Sequence, residues 1–248
     1  MNQLRKRAQR KHRRKKINKK KLGIFVIILL IIAIMLIFVD WEEEEDYREI
    51  YLSQLPDLDS TGMGLCMKGD IPYTSFADDF FWNESSPVTE ITLWGSYRND
   101  ALPEDGLDSL AFQIIIHEND NNKPGSSLWK ETFNPGEYLV KLYEESRQGW
   151  YCYWSNYFER NSLKKTYQYY FFIEGGINFF QNNTEIYWLE VRWIHEDIDY
   201  NFGWKTTIDE DRWKENAYIS DGSNWTPLKY PSGHEYNNQK INLAFAIR

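Results

Sequence analysis

Thr184–His195 reads TEIYWLEVRWIH, and its alternation decides the fold. Tyr187, Leu189, Val191 and Trp193 fall on one side and Trp188, Glu190 and Arg192 on the other, the period of two with which a β-strand addresses a core and its outer side. A helix would scatter those four apolar positions around its axis. The same pattern recurs at 240–248, KINLAFAIR, where Ile241, Leu243, Phe245 and Ile247 oppose Asn242, Ala244 and Ala246. In 88–97, VTEITLWGSY, it turns Ile91 and Leu93 inward and Trp94 outward. Runs 110–117 and 165–173 are further clear strands, 128–133, 137–143, 202–207 and 217–220 weaker ones, and Asn119–Ser127 (NDNNKPGSS) reads as a long turn. Nine or ten strands without βαβ alternation or a long amphipathic helix predict an all-β domain, an antiparallel two-sheet sandwich of jelly-roll type, over residues 54–248.

N-terminal to this domain the character of the chain changes twice. Residues 1–21 carry twelve Lys and Arg and no acid; removing them from the 29 bases leaves 17 against 37 acids, so the remainder has a net charge of −20. Residues 22–39, LGIFVIILLIIAIMLIFV, hold no charge and no proline. Eighteen helical residues span about 27 Å, close to the roughly 30 Å of a hydrocarbon core. A cleaved signal peptide would have an apolar region of about 7–15 residues before a small-residue cleavage site; here the run leads into Asp40-Trp41-Glu42. The expectation is one N-terminal transmembrane helix with the lipid bilayer as its partner. The basic tail (1–21) is cytoplasmic, since Lys and Arg near a spanning helix stay on that side. Residues 40–53 form an acidic juxtamembrane stalk and 54–248 an extracytoplasmic domain. The tail's bases already serve as topology signal and lie against anionic lipid, and the acidic domain repels nucleic acid. No nucleic-acid partner is expected.

QLPDL…TGM (Gln54–Met63), FADDFFW (Phe76–Trp82), ITLWGSY (Ile91–Tyr97), SSLWKETF (Ser126–Phe133), QGWY (Gln148–Tyr151), EIYWLEV (Glu185–Val191), FGWKTT (Phe202–Thr207) and INLAFAI (Ile241–Ile247) occur in an order that resembles an uncharacterised family of exported bacterial domains of unknown function. The resemblance covers nearly all of 54–248 and implies an extracytoplasmic β-sandwich without an assigned ligand or catalytic residue. It also implies export behind a cleavable signal or attachment to sorting segments, from which a chain with its own anchor departs.

Chemistry-bearing motifs are sparse. His117, His195 and His234 are the histidines of the outer part, and neither H-E-x-x-H nor G-x-S-x-G occurs. His195-Glu196-Asp197-Ile198-Asp199 groups an imidazole with three acids that could hold a divalent cation, but it lacks the spaced oxygens and glycine of a calcium loop and reads as a solvated loop at a strand end; Asp57–Gly62 lacks the closing glutamate and reads as a turn, as do Asp78-Asp79 and Asp209-Glu210-Asp211. No metal or other cofactor is expected. Asn83, Asn182 and Asn224 head glycosylation-type triplets, at a frequency that chance would produce in so Asn-rich a chain. Cys66 and Cys152, the only cysteines, lie where an oxidising compartment permits a disulfide, and their spacing leaves the pairing open.

Aromatics make up 17% of the chain, with eleven Trp. Most belong to a core, but Trp94 and Trp188, if their strands share a sheet, would form an outer platform beside Glu190 and Arg192, suited to stacking on a sugar ring. The expected function is a membrane-anchored binding or surface-interaction module for glycan or an envelope protein. The alternatives are a glycosidase-like hydrolase with paired carboxylates and a structural envelope protein.

Overall fold

The computed structural model describes residues 52–67, 75–81, 87–177, 186–194, 202–208 and 215–248. The basic tail, the apolar run 22–39, all but the end of the stalk, His195–Asp199, Asp209–Asp211 and the triplets at Asn83 and Asn182 lie outside them. Fourteen strands are formed among the described residues: β1 (Leu52–Gln54), β2 (Met63–Cys66), β3 (Ser75–Phe81), β4 (Val88–Tyr97), β5 (Ala111–Asn119), β6 (Pro124–Phe133), β7 (Leu139–Cys152), β8 (Tyr157–Ile177), β9 (Ile186–Ile194), β10 (Phe202–Thr207), β11 (Tyr218–Ser220), β12 (Trp225–Pro227), β13 (Asn242–Leu243) and β14 (Phe245–Ile247). They build an eight-stranded sheet in the order β1-β14-β4-β8-β7-β2-β10-β13 and a six-stranded sheet in the order β12-β11-β3-β9-β5-β6. The all-β, two-sheet expectation holds.

Two departures from a simple antiparallel sandwich matter. β2 and β7 pair in parallel. And β4 serves two neighbours on one side: Ile91–Leu93 pair with β14, while Gly95–Tyr97 pair with β10. Strands β4, β8, β7, β2 and β10 therefore close into a ring within the larger sheet. Tight curvature requires small residues on the concave side. A Cβ on Gly203 would lie 2.6 Å from the Trp150 ring, and one on Gly64 2.4 Å from the Ser96 hydroxyl. The parallel register sets Leu65 against Tyr151, so Cys66 and Cys152 follow side by side, 4.7 Å apart at Cα, and are bonded. Closing a loop over 86 residues removes about 4–5 kcal/mol of unfolded-chain entropy in the chain-entropy account.

Between the sheets lies an aromatic core. Phe112 of β5 meets Tyr138, Tyr169, Phe171 and Phe202 edge-on, with centroids 5.2–5.6 Å apart, the geometry that ring quadrupoles favour. Tyr97 and Tyr169 share a hydroxyl hydrogen bond of 3.0 Å inside it.

Asp78 and Asp79 are not a surface turn. FADDFF runs as β3, with Phe76, Asp78 and Phe80 directed into the core and Ala77 and Asp79 to the other side, and both acids are buried. Asp78 Oδ2 accepts the backbone N–H of Leu243 at 2.6 Å, which links β3 of one sheet to β13 of the other. Burial first, then repulsion from Asp79, holds the Asp78 carboxyl well above the usual range; burial and then the charge of Glu215 raise Asp79 to about 7. An acid with a raised folded pKa binds its proton more tightly when folded, so stability is greatest below the ordinary value near 3.8 and declines as pH rises to about 7. Asp79→Asn removes the charge with little change of shape. It should gain about 2–4 kcal/mol above pH 7 and nothing near pH 4, read from urea unfolding at the two pH values.

Candidate functional site

β9 keeps the faces expected of it. Tyr187, Leu189, Val191 and Trp193 join the core, and Trp188, Glu190 and Arg192 lie on the far side. The stacking platform nevertheless does not form. Trp94 belongs to β4 of the larger sheet and Trp188 to β9 of the smaller, and both indoles are covered, at 2% and 0% exposure. Trp94 packs on Ala244 and Ala246 beneath Tyr143. Trp188 is capped edge-on by Tyr218 at 5.3 Å and donates Nε1–H to Asn119 Oδ1 at 3.0 Å.

The covering of Trp188 follows from the shape of the smaller sheet. Tyr218 comes from β11, separated from β9 by β3, and Trp225 of the edge strand β12 reaches the ring of His117 on β5, 6.2 Å between centroids. Strands so far apart in sheet order touch only if the sheet curls with this face concave, as its twist favours. In the trough, Glu190 is fully buried and doubly engaged: His117 Nε2 lies 2.5 Å from Oε2 and Arg192 Nε donates to Oε1 at 2.5 Å. His117 Nδ1 faces the Gly125 carbonyl at 2.9 Å, so each ring nitrogen meets an acceptor. Burial opposes ionisation of Glu190, but the hydrogen bonds from His117 and Arg192 outweigh it and hold the carboxyl below its usual value.

Next to this cluster, between two hairpin turns, lies a groove of about 660 Å³. One wall is the β5–β6 turn, where Asn121 and Asn122 take positive φ of 53° and 62° and Asp120 N–H donates to Lys123 O at 2.9 Å, the left-handed pair that a tight hairpin requires. The long turn expected at Asn119–Ser127 is thus four residues shorter at its end than the sequence suggests, because β6 begins at Pro124. The other wall is the β11–β12 turn, fixed by Asp221 Oδ1, which accepts the N–H groups of Ser223 and Asn224 at 2.9 and 2.7 Å and is thereby held below the ordinary aspartate pKa. Glu118, Asp120, Lys123, Ser126 and Asn224 supply polar groups, and the partly exposed indole of Trp225 supplies the apolar surface.

Residues 50–248 match a family described as a domain of unknown function, DUF7901. The chain belongs to that family. No curated protein and no solved structure matches the chain.

Of the residues singled out in the sequence of this DUF7901 domain, Trp188, Glu190 and Arg192 share the concave side of β9 but do not line the groove, and Trp94 stands apart on the other sheet. In the sequence Trp225 stands out only as an aromatic residue directly after a D-G-S-N turn, inside the glycosylation-type triplet headed by Asn224. His234 bounds a smaller recess of about 150 Å³ with Thr61 and Arg160. Its Nε2 lies 2.9 Å from Thr61 O, Nδ1 accepts from Tyr236 N–H at 3.0 Å, and its ring stacks on Tyr230 at 4.3 Å. Both nitrogens are used structurally, and burial depresses its pKa. Among the described residues no three of His, Cys, Asp and Glu are grouped to hold a metal ion.

Replacing the Glu190 carboxylate by an amide removes the charge and leaves one acceptor oxygen for the two donors His117 and Arg192, with an NH2 facing the other. Glu190→Gln is expected to cost about 2–4 kcal/mol. Because the folded pKa lies below the ordinary 4.5, that cost is present above pH 4.5 and shrinks as acid protonates the wild-type carboxyl; melting curves of the two proteins across pH 3–7 check it.

Proposed function

We propose that this domain is a glycan-binding module held at the outer face of a membrane. The observation that carries the reading is the partly exposed Trp225 indole in a polar groove whose two walls are set by their own hydrogen bonds. A sugar presents an apolar C–H face and a rim of hydroxyls; an indole takes the first, and carboxylates, amides and a lysine take the second. The walls need no reordering on binding, which lowers the cost of association. The domain's net negative charge favours a neutral saccharide over an acidic one. An envelope protein seated in the same groove is the alternative occupant.

The hydrolase reading rests on one observation. Asp79 is raised and Glu190 lowered in pKa, and the two sit diagonally on β3 and β9, the acid–base separation that paired-carboxylate catalysis uses. Both carboxyls are fully buried away from the groove, which weighs for binding.

Retention of the full chain on neutral polysaccharides, with product analysis of the same samples, decides between these. Trp225→Ala should weaken retention about tenfold, roughly 1.4 kcal/mol, and leave melting nearly unchanged, whereas Trp188→Ala should cost about 3–5 kcal/mol of stability. No saccharide retained by the wild type would overturn the glycan reading, and released sugar would replace it with the hydrolase.

The anchor belongs to the same proposal. It is supported by the uncharged run 22–39 between a basic and an acidic flank and by the Cys66–Cys152 bond. Protease added to intact cells should destroy residues beyond Asp40 and spare the N-terminal tail; a soluble form beginning near residue 40 would disprove anchoring.

A further inference from the structure

The concave side of the β4-β8-β7-β2-β10 ring holds a second polar centre, remote in the sheet order from the groove. Lys205 lies on it, two residues after Gly203 and directly opposite Gly64, whose missing side chain leaves room beside the Trp150 indole. The Lys205 side chain is fully buried, and among the described residues the one polar partner of Nζ is Gln148 Oε1. Gln148 is fully buried too, with Nε2 donating to Ser146 Oγ at 2.5 Å. A buried ammonium needs a carboxylate in contact, and none of the described ion pairs includes Lys205. Burial lowers the lysine to about 7, with the more distant charge of Asp57 opposing it, so much of the amine is neutral at neutral pH. The amine lies against the oxygen of the Gln148 carboxamide, one bond from its electrophilic carbon Cδ, in a site that excludes water.

We propose that Lys205 and Gln148 become joined by an intramolecular isopeptide bond. The lone pair of Nζ adds to Cδ of Gln148, the Cδ–Nε2 bond breaks, and Nε2 leaves as ammonia with the proton that Nζ gives up. One amide replaces another, so no oxidant or cofactor enters. Fixed proximity takes the place of an external catalyst, and loss of ammonia to solvent draws the exchange forward. The bond ties β7 to β10 across β2, the strand that the disulfide already ties to β7. It does not depend on the glycan reading.

The test is the mass of the full chain, reduced and denatured. The wild type is expected one ammonia lighter than its sequence, with trypsin failing to cut after Lys205 and peptide 148–160 recovered joined to 193–212. Lys205→Met should show its full sequence mass. A wild type of full mass, with peptide 148–160 free and cleavage after Lys205 complete, would overturn the proposal. Should Lys205→Met fail to accumulate, the wild-type digest decides alone.

Discussion

Phe112 sets the spacing on which the remaining architecture depends. It projects from β5 of the smaller sheet into rings from β8, β10 and the β6–β7 connection, so a smaller side chain there would strand four aromatic partners at once. Each partner is held by others in turn: Tyr138 by the Leu110 carbonyl, Tyr169 by the Tyr97 hydroxyl, Phe171 by Phe133, Phe202 by Trp193. Edge-to-face contacts tolerate little sliding, and the register of β5 on β9 is thereby coupled to the core. Asp78 adds a polar tie between the same two sheets. The trough on the far side of β9 is positioned by this packing although none of its residues enters the core.

The strands with strict alternation were legible. Val88–Tyr97 and Phe202–Thr207 have the bounds read from sequence, and β9 the faces. Three kinds of strand escaped. β1 and β2 are only three and four residues long, too short for a period to register. β3 was masked by its two acids, since polarity argues for a turn unless a partner for the carboxylate is known, and Leu243 lies 165 positions away. β7 and β8 run to 14 and 21 residues because shifts in their register absorb the polar stretches that seemed to end them. Asn161, with φ of 55°, sits within β8 where the chain must deviate from regular pleating.

At the site, local and global information part company. The side of β9 that carries Trp188, Glu190 and Arg192 followed from period alone, but its exposure did not. Whether an outer face is open depends on sheet curvature, and curvature depends on which strands lie at the two edges. Trp94 shows the same limit: its outward direction follows from the period, yet the bed it fills is made by Ala246 of β14 and by Ala244 just before that strand. The ring was similarly hidden, because the small residues that permit it, Gly64 and Gly203, acquire meaning only once Trp150 is known to lie between them.

The buried cluster and the walls of the groove beside it are stabilised by different physics. The cluster is a buried carboxylate held by the half-buried Arg192 and by His117, where an orphaned partner would be costly. The walls are exposed turns held by backbone geometry and by one aspartate, where substitutions cost little. The wall residues Asp120, Lys123, Ser126 and Asn224 can therefore vary without disturbing His117, Glu190 or Arg192. Trp225 joins the two layers: its indole borders the groove on one side and the His117 ring on the other, so its orientation is coupled to the buried cluster through His117.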